Sequence, residues 1–167
     1  MRVRSDILIE DQRWVATLDL QLLVDRVIAA ALSALDADNG ESAEVSLLFA
    51  DDARISLLKG AWLGNNAPTN VLSFPAADVG QPPCEGNRFL GDMIFSFDTI
   101  RREAEDEGKS FEAHLAHMIA HGFLHLMGYD HIDDEEANVM EALESRALLT
   151  LGMPDPWLTY VHRGDEA

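Results

Sequence analysis

Residues 117–131 read His-Met-Ile-Ala-His-Gly-Phe-Leu-His-Leu-Met-Gly-Tyr-Asp-His, and they include four of the six histidines of the chain. The stretch predicts the end of a helix, with Gly128 as its stop. His121 and His125 stand four residues apart, so their rings project from one face of that helix. After Gly128 the chain can turn back and bring His131 to the same point. The spacing therefore predicts a metal site made by His121, His125 and His131.

The ligand types indicate which metal fits this site. Three neutral imidazoles with an open fourth position are typical of catalytic zinc. Nitrogen ligands without a nearby thiolate favour zinc, and nickel or another late transition metal is the alternative. His114 and His117 lie on the same face of the helix. We interpret them as packed polar residues or as support for the ligands, with an extended metal site as the alternative.

The same spacing occurs in a protease motif, His-Glu-x-x-His-x-x-Gly-x-x-His. Here Gly122 stands where that motif has the glutamate that activates water. The metal geometry stays intact, but the peptidase base is missing. Asp130 is a candidate for orienting a ligand ring or accepting a proton, and capping the turn after Gly128 is an equal alternative. We therefore assign no catalytic residue beyond the three ligands.

Patterning outside this stretch predicts the rest of the fold. Alternating and apolar runs indicate strands at 3–10, 44–50, 71–74 and 91–97. Helical periodicity and capping residues indicate helices at 18–35, 51–59, 98–107 and 111–127, and a last helix from Asp133 to about residue 151. The alternation predicts an α+β fold with a mixed four-stranded sheet packed with helices, in a single domain over 1–167.

Composition narrows the class of protein. The chain has 167 residues, 47% of them apolar, and a single cysteine, Cys84. These values predict a soluble cytoplasmic protein without a disulfide or a membrane span. The net charge is −18, which argues against a nucleic-acid partner. Residues 54–102, however, carry five cations against four acids, so a local cationic face is an alternative to simple solubility through surface acids.

The run from His117 to His131 resembles the motif of the YbeY family of bacterial metal-dependent endoribonucleases. The family pattern, His-Gly-x-Leu-His-Leu-x-Gly-Tyr-Asp-His, is met at every fixed position. Two further blocks are similar, Pro-Thr-Asn-Val-Leu-Ser-Phe-Pro at 68–75 and Leu-Gly-Asp-Met-Ile at 90–94. The resemblance covers about residues 44–157.

The resemblance implies a zincin-like fold with one Zn²⁺ ion on His121, His125 and His131. It also implies cleavage of single-stranded RNA in rRNA maturation, at the 3′ end of 16S rRNA, and in ribosome quality control. The expected partners are rRNA and the ribosome or its small subunit, with neither a membrane nor DNA. Two alternatives stay open: a ribosome-assembly factor with weak or no nuclease activity, and another zinc hydrolase such as a peptidase.

One departure from the family pattern concerns RNA contact. Where the family usually has an arginine and a lysine ahead of Pro68, this chain has Leu63 and Asn65. If the preceding helix continues, Lys59 lies one turn before Leu63 on the same face. We predict Lys59 as a substrate-binding residue that partly replaces the arginine. A solvated lysine at a helix end is the alternative.

Overall fold

The computed structural model describes residues 1–16, 18–37, 39–76 and 87–157, which build a sheet packed with helices. The strands are β1 (Arg2–Ile9), β2 (Ser42–Ala50), β3 (Val71–Pro75) and β4 (Asn87–Ser96). Their order across the sheet is β1-β2-β4-β3. β1, β2 and β4 run parallel, and β3 pairs antiparallel with β4 at one edge. The predicted α+β class with a mixed four-stranded sheet is confirmed.

The described residues form five α-helices: α1 (Leu20–Ala34), α2 (Asp52–Leu63), α3 (Phe97–Glu107), α4 (Phe111–Leu126) and α5 (Asp134–Thr150). A short 3-10 helix, Gln12–Trp14, precedes α1. Four of the helices have a side chain that accepts a hydrogen bond from their first turn, and these caps are Asp19, Asp51, Ser110 and Asp133. Each cap satisfies a donor that the first turn of a helix leaves unpaired. Among the described residues, no helix combines the length and apolar character that crossing a bilayer requires.

Two boundaries differ from the sequence-based expectation by more than two residues. α2 continues to Leu63 rather than ending at 59, because its stop is Gly64, which has a φ of 72° and the left-handed conformation of a helix cap. β4 begins at Asn87 rather than at 91, because its first residues pair with the start of β2 ahead of a bulge. Cys84 lies outside the described residues.

The sheet has two different faces, since successive side chains of a strand point to opposite sides. The three-helix face is covered by α1 and α4, with α5 packed against both helices, and its buried strand side chains include Val45, Leu47, Phe49, Met93 and Phe95. On the opposite face, the α2 face, Ile55 of α2 packs against Leu72 and Ile94. The main core therefore lies on the three-helix face.

α4 is fixed within that core. Leu115, Ile119 and Phe123 are fully buried on it, and the helix contacts α1, α3, α5, β3 and β4. Gly91 allows the edge strand to approach closely, since a Cβ there would lie 2.3 Å from the carbonyl oxygen of Phe74. Its φ of 140° also favours glycine. The C-terminal half of α4 is thereby held beside β3.

Candidate metal centre

A tight turn after α4 places His131. Gly128 has a φ of 97°, in the left-handed region that favours glycine. The N–H of Tyr129 donates to the carbonyl oxygen of Leu124 at 3.0 Å, which satisfies one of the last carbonyl groups of the helix. The chain therefore turns back over the last turn of α4, and His131 lies beside the two helical histidines.

His121, His125 and His131 form one compact group of nitrogen donors. One ligand atom from each ring lies within 4.8 Å of the others. The Nε2 atoms of His121 and His125 are 3.1 Å apart. Tetrahedral zinc with nitrogen ligands at about 2.0–2.1 Å separates those ligands by about 3.3 Å. The structure thus brings together the three predicted residues, and they could hold a metal ion.

The hydrogen bonds of the two helical rings determine which nitrogen faces the group. Nδ1 of His121 donates to Oε1 of Glu144 at 2.5 Å, and Nδ1 of His125 donates to the carbonyl oxygen of Tyr129 at 2.9 Å. Because each acceptor is an oxygen, the proton of each neutral ring sits on Nδ1. Both Nε2 atoms are then unprotonated and present lone pairs to the same point. This donor set fits a cation.

The surroundings of His125 favour a neutral ring. Burial lowers the pKa of His125, and the neighbouring His121 and His131 lower it further. A neutral imidazole is the form that binds a metal. His131 is exposed, and its Nδ1 lies 3.9 Å from Oδ1 of Asp130. That oxygen instead accepts the main-chain N–H of His131 at 2.8 Å, which is the turn-capping role.

Glu144 of α5 is the site residue that the sequence analysis missed. It is buried, and it accepts hydrogen bonds from His121, from Nε2 of His117 at 2.9 Å and from Nε1 of Trp157 at 3.1 Å. Burial alone raises the pKa of Glu144, but the bonds from His117 and His121 outweigh it and lower the pKa to about 2. A signal did exist: Glu144 falls on the buried stripe of α5, which also contains Met140 and Leu148.

The two other histidines of α4 are held by carboxylates and are not in the three-histidine group. Nε2 of His117 contacts Glu144, and Nε2 of His114 contacts Oε1 of Glu103 at 3.0 Å. Both rings are buried. They therefore lie beside the three-histidine group as packed polar residues.

Gly122 lies against the edge strand. A Cβ at this position would lie 2.9 Å from Sδ of Met93 and 3.0 Å from Oγ of Ser73. Oγ of Ser73 in turn donates to the carbonyl oxygen of Gly122 at 3.2 Å. Any side chain here would have to displace Met93 and Ser73, and the glycine itself supplies no carboxylate, so the position that carries the base in the protease motif carries none in this chain.

A cleft of about 630 Å³ opens over the three histidines. One wall is β3 with the residues just before it, including Thr69, Asn70 and Ser73, and the other is the turn from Gly128 to His131. Asn70 is fixed, since its amide donates to Glu103 at 3.0 Å. Of the described residues that line the cleft, none is lysine or arginine.

The cations considered for RNA contact are not among the described residues that line the cleft. Lys59 is half-buried on α2, which packs on the opposite face of the sheet, and it is not among the residues that line the cleft. Leu63 at the end of α2 is 60% exposed. Three arginines of residues 54–102 form ion pairs, and these are Arg54 with Glu10, Arg101 with Glu105 and Arg102 with Asp52. The local positive charge is therefore largely compensated.

Known proteins resemble this chain over most of its length. The family model described as Endoribonuclease YbeY matches residues 7–152. A curated relative named Endoribonuclease YbeY from Rhodopseudomonas palustris (strain BisB18) is 46% identical over 154 residues, which cover 92% of this chain and 91% of the relative. A relative of the same name from Bradyrhizobium diazoefficiens is 44% identical over 155 residues, which cover 92% of this chain and 84% of the relative.

The fold has a counterpart among solved structures. The solution structure of a protein from Thermotoga maritima matches with a TM-score of 0.56 and 19% identity, over 89% of this chain and 91% of that one. At this identity the likeness supports the fold alone.

Proposed function

The chain belongs to the YbeY family of endoribonucleases, and from this premise we propose that it is a zinc-dependent hydrolase that cuts single-stranded RNA. The proposed substrate is rRNA, with the 3′ end of 16S rRNA as the processing site. The proposed place of action is the cytoplasm, on the ribosome or its small subunit.

The observation that carries the proposal is the convergence of His121, His125 and His131 below an open cleft. We propose one Zn²⁺ as the cofactor, because three imidazole ligands without a thiolate are typical of catalytic zinc. Zinc at such a position supplies Lewis acidity and lowers the pKa of a water that it binds.

The residues of the chain hold and shape this site. The Nδ1 protons of His121 and His125 are bound by Glu144 and Tyr129, so both rings keep one orientation. The β3 wall offers uncharged polar groups to a phosphate, among them the hydroxyl of Thr69. Asp130 provides the one carboxylate among the described residues that line the cleft. One of its oxygens already accepts the main-chain N–H of His131.

The proposal extends to Lys59 as an RNA contact away from the cleft. Lys59 lies one turn before Leu63 on α2, so its ammonium group is on the side of the helix where the family usually has an arginine. A lysine there would neutralise one phosphate but would not grip it in the bidentate way of an arginine.

The absence of lysine and arginine from the described cleft lining favours one alternative, a ribosome-assembly factor that binds RNA with weak or no cleavage. The peptidase alternative lacks its base, since Gly122 is packed against β3.

Zinc-loaded protein incubated with a labelled single-stranded RNA, a duplex RNA and casein separates these functions. The proposal expects cleavage of the single strand alone, lost in His125→Ala. Binding of the single strand without cleavage would replace the proposal with the assembly factor, and cleavage of casein would replace it with a peptidase.

A further inference from the structure

Glu144 joins three N–H donors from different parts of the chain. Its carboxylate is 1% exposed and lies on α5, while His117 and His121 lie on α4 and Trp157 follows α5. A tryptophan ring can only donate, and the carboxylate offers lone pairs to all three groups. The Glu144 carboxylate is therefore fully engaged in one arrangement of α4, α5 and the segment after α5.

The three proposed ligands differ in how firmly each ring is held. His121 donates to a charged carboxylate, and His125 donates to a neutral main-chain carbonyl. His131 is exposed, with its Nδ1 3.9 Å from the nearest carboxylate oxygen described. Hydrogen bonds to a charged acceptor are about twice as strong as those to a neutral one. His121 is thus the most firmly oriented ring of the group.

His117 and Trp157 hold the carboxylate in turn. Nε2 of His117 donates to Oε2 of Glu144, so this nitrogen is already bound to the carboxylate that also holds His121. The indole of Trp157 packs edge-on against His117, with ring centroids 5.5 Å apart and an interplanar angle of 84°. The segment after α5 therefore closes the back of the site.

We propose that Glu144 is a positioning residue of the metal centre, and that Trp157 supports metal binding through it. This role rests on the proposed zinc site. The hydrogen bonds of Glu144 orient the ring of His121 before the ion binds. A carboxylate behind a ligating histidine orients the ring and raises its basicity, and losing such a partner typically weakens metal binding about 10–100-fold.

A second carboxylate–histidine pair provides a matched control. Glu103 pairs with His114 at 3.0 Å, which is the same kind of contact as Glu144 with His117, but neither residue touches a ligand of the proposed site. Glu103 lies on α3 and also accepts a hydrogen bond from Asn70, so Glu103→Gln perturbs a carboxylate–histidine pair between α3 and α4 without touching His121. A general loss of packing would affect both variants, whereas a positioning role affects Glu144→Gln alone.

The test measures the zinc dissociation constant of the full chain by competition with a chromophoric chelator. The proteins are the parent, Glu144→Gln, Trp157→Phe, Glu103→Gln and His125→Ala, with folding checked by circular dichroism and the site geometry by the visible spectrum of bound Co²⁺. Glutamine keeps the size of the side chain but leaves an amide facing donors that need acceptors. Phenylalanine keeps the aromatic packing of Trp157 and removes its N–H.

We expect Glu144→Gln to weaken zinc binding about 10–100-fold with an altered Co²⁺ spectrum, Trp157→Phe to weaken it less, and Glu103→Gln to bind like the parent. Zinc binding by folded Glu144→Gln within threefold of the parent would overturn the inference, and so would an equal loss in Glu103→Gln. If Glu144→Gln does not fold, Trp157→Phe decides, and affinity equal to the parent's overturns it. A parent that binds no zinc, or binds as His125→Ala does, overturns the proposed site itself.

Discussion

The three-helix face of the sheet buries a continuous apolar core under α1, α4 and α5, whereas the α2 face leaves large apolar side chains in solvent. Leu57 and Trp62 of α2 are 64% and 72% exposed. The histidine group lies at the end of α4, on the face with the large core. Leu63, where the family usually has an arginine, lies on the other face, at the end of α2. The three-histidine group is therefore held by the large core, whereas the proposed RNA contact lies on the α2 face, which buries less apolar surface.

The largest effect should come from the core under α4. Phe123→Ala removes a fully buried ring from the three-helix face, and we expect the free energy of unfolding to fall by about 3–5 kcal/mol. Leu57→Ala, on the exposed side of α2, should change it by about 0.5 kcal/mol or less. Urea unfolding of both variants measures the difference. If both variants lost the same unfolding free energy, the two faces would not differ in their contribution to stability.

The next effect concerns metal binding and stability. A preorganised site binds the folded chain and hardly the unfolded one, so zinc at a hundredfold excess over its dissociation constant should add about 2.7 kcal/mol. We expect the melting temperature to fall with a chelator, to recover with zinc, and to be insensitive to both in His125→Ala. A chelator that leaves Tm unchanged, on protein shown to contain metal, contradicts the site.

A smaller effect is expected on RNA affinity when Lys59 of the α2 face is changed. Lys59→Ala should weaken binding of single-stranded RNA and reduce the slope of log K against log salt by about 0.7, as the loss of one phosphate contact does on a single strand. Leu63→Arg, at an exposed position, should raise affinity and largely rescue the lysine variant. If Lys59→Ala binds like the parent across the salt series, RNA contact at Lys59 is wrong.

The convergence of His121, His125 and His131 was predictable because its determinants are local. The spacing of His121 and His125 and the stop at Gly128 act within a few residues, and a helix followed by a left-handed turn leaves little freedom for His131. The caps at Ser110 and Asp133 were likewise visible in the sequence, since capping depends on neighbouring residues.

Long-range contacts were not predictable in the same way. Glu144 meets His121 across 23 positions of the chain, and no local rule links α5 to α4. The side of the sheet on which α2 packs depends on which strand residues contact Ile55. Because α2 packs on the side away from α4, Lys59 is not among the described residues that line the cleft. The ion pairs that compensate Arg54 and Arg102 also join distant segments, so charge counting along the chain overstated the cationic face.

The smallest expected effect is a pH dependence at the rim of the three-helix face. Arg13 donates to Asp98 at 2.6 Å and to Asp11, and these hydrogen bonds lower the pKa of both carboxyl groups below 3.8. Both groups therefore stabilise the folded state above about pH 4, and the contribution is lost as the pH falls through their lowered folded pKa values. Because all three side chains are partly exposed, the contribution is about 1 kcal/mol or less.

Arg13→Ala tests this contribution. The difference in unfolding free energy between parent and variant should be larger at pH 6 than at pH 3. The contact of the guanidinium with the ring of Phe97, 4.5 Å away, does not titrate and cancels in that comparison. If the difference in unfolding free energy is the same at both pH values, Arg13 stabilises the fold through its contact with Phe97 and not through the two carboxylates.

The most direct test of the central claim is a zinc titration of metal-free protein, with zinc content and cleavage of single-stranded RNA measured on the same samples. We expect no cleavage without metal, a rise in rate that ends at one zinc per chain, and no rise in His125→Ala. Cleavage by protein shown to be free of metal, at the rate of the zinc-loaded enzyme, would contradict a metal-dependent hydrolase built on His121, His125 and His131.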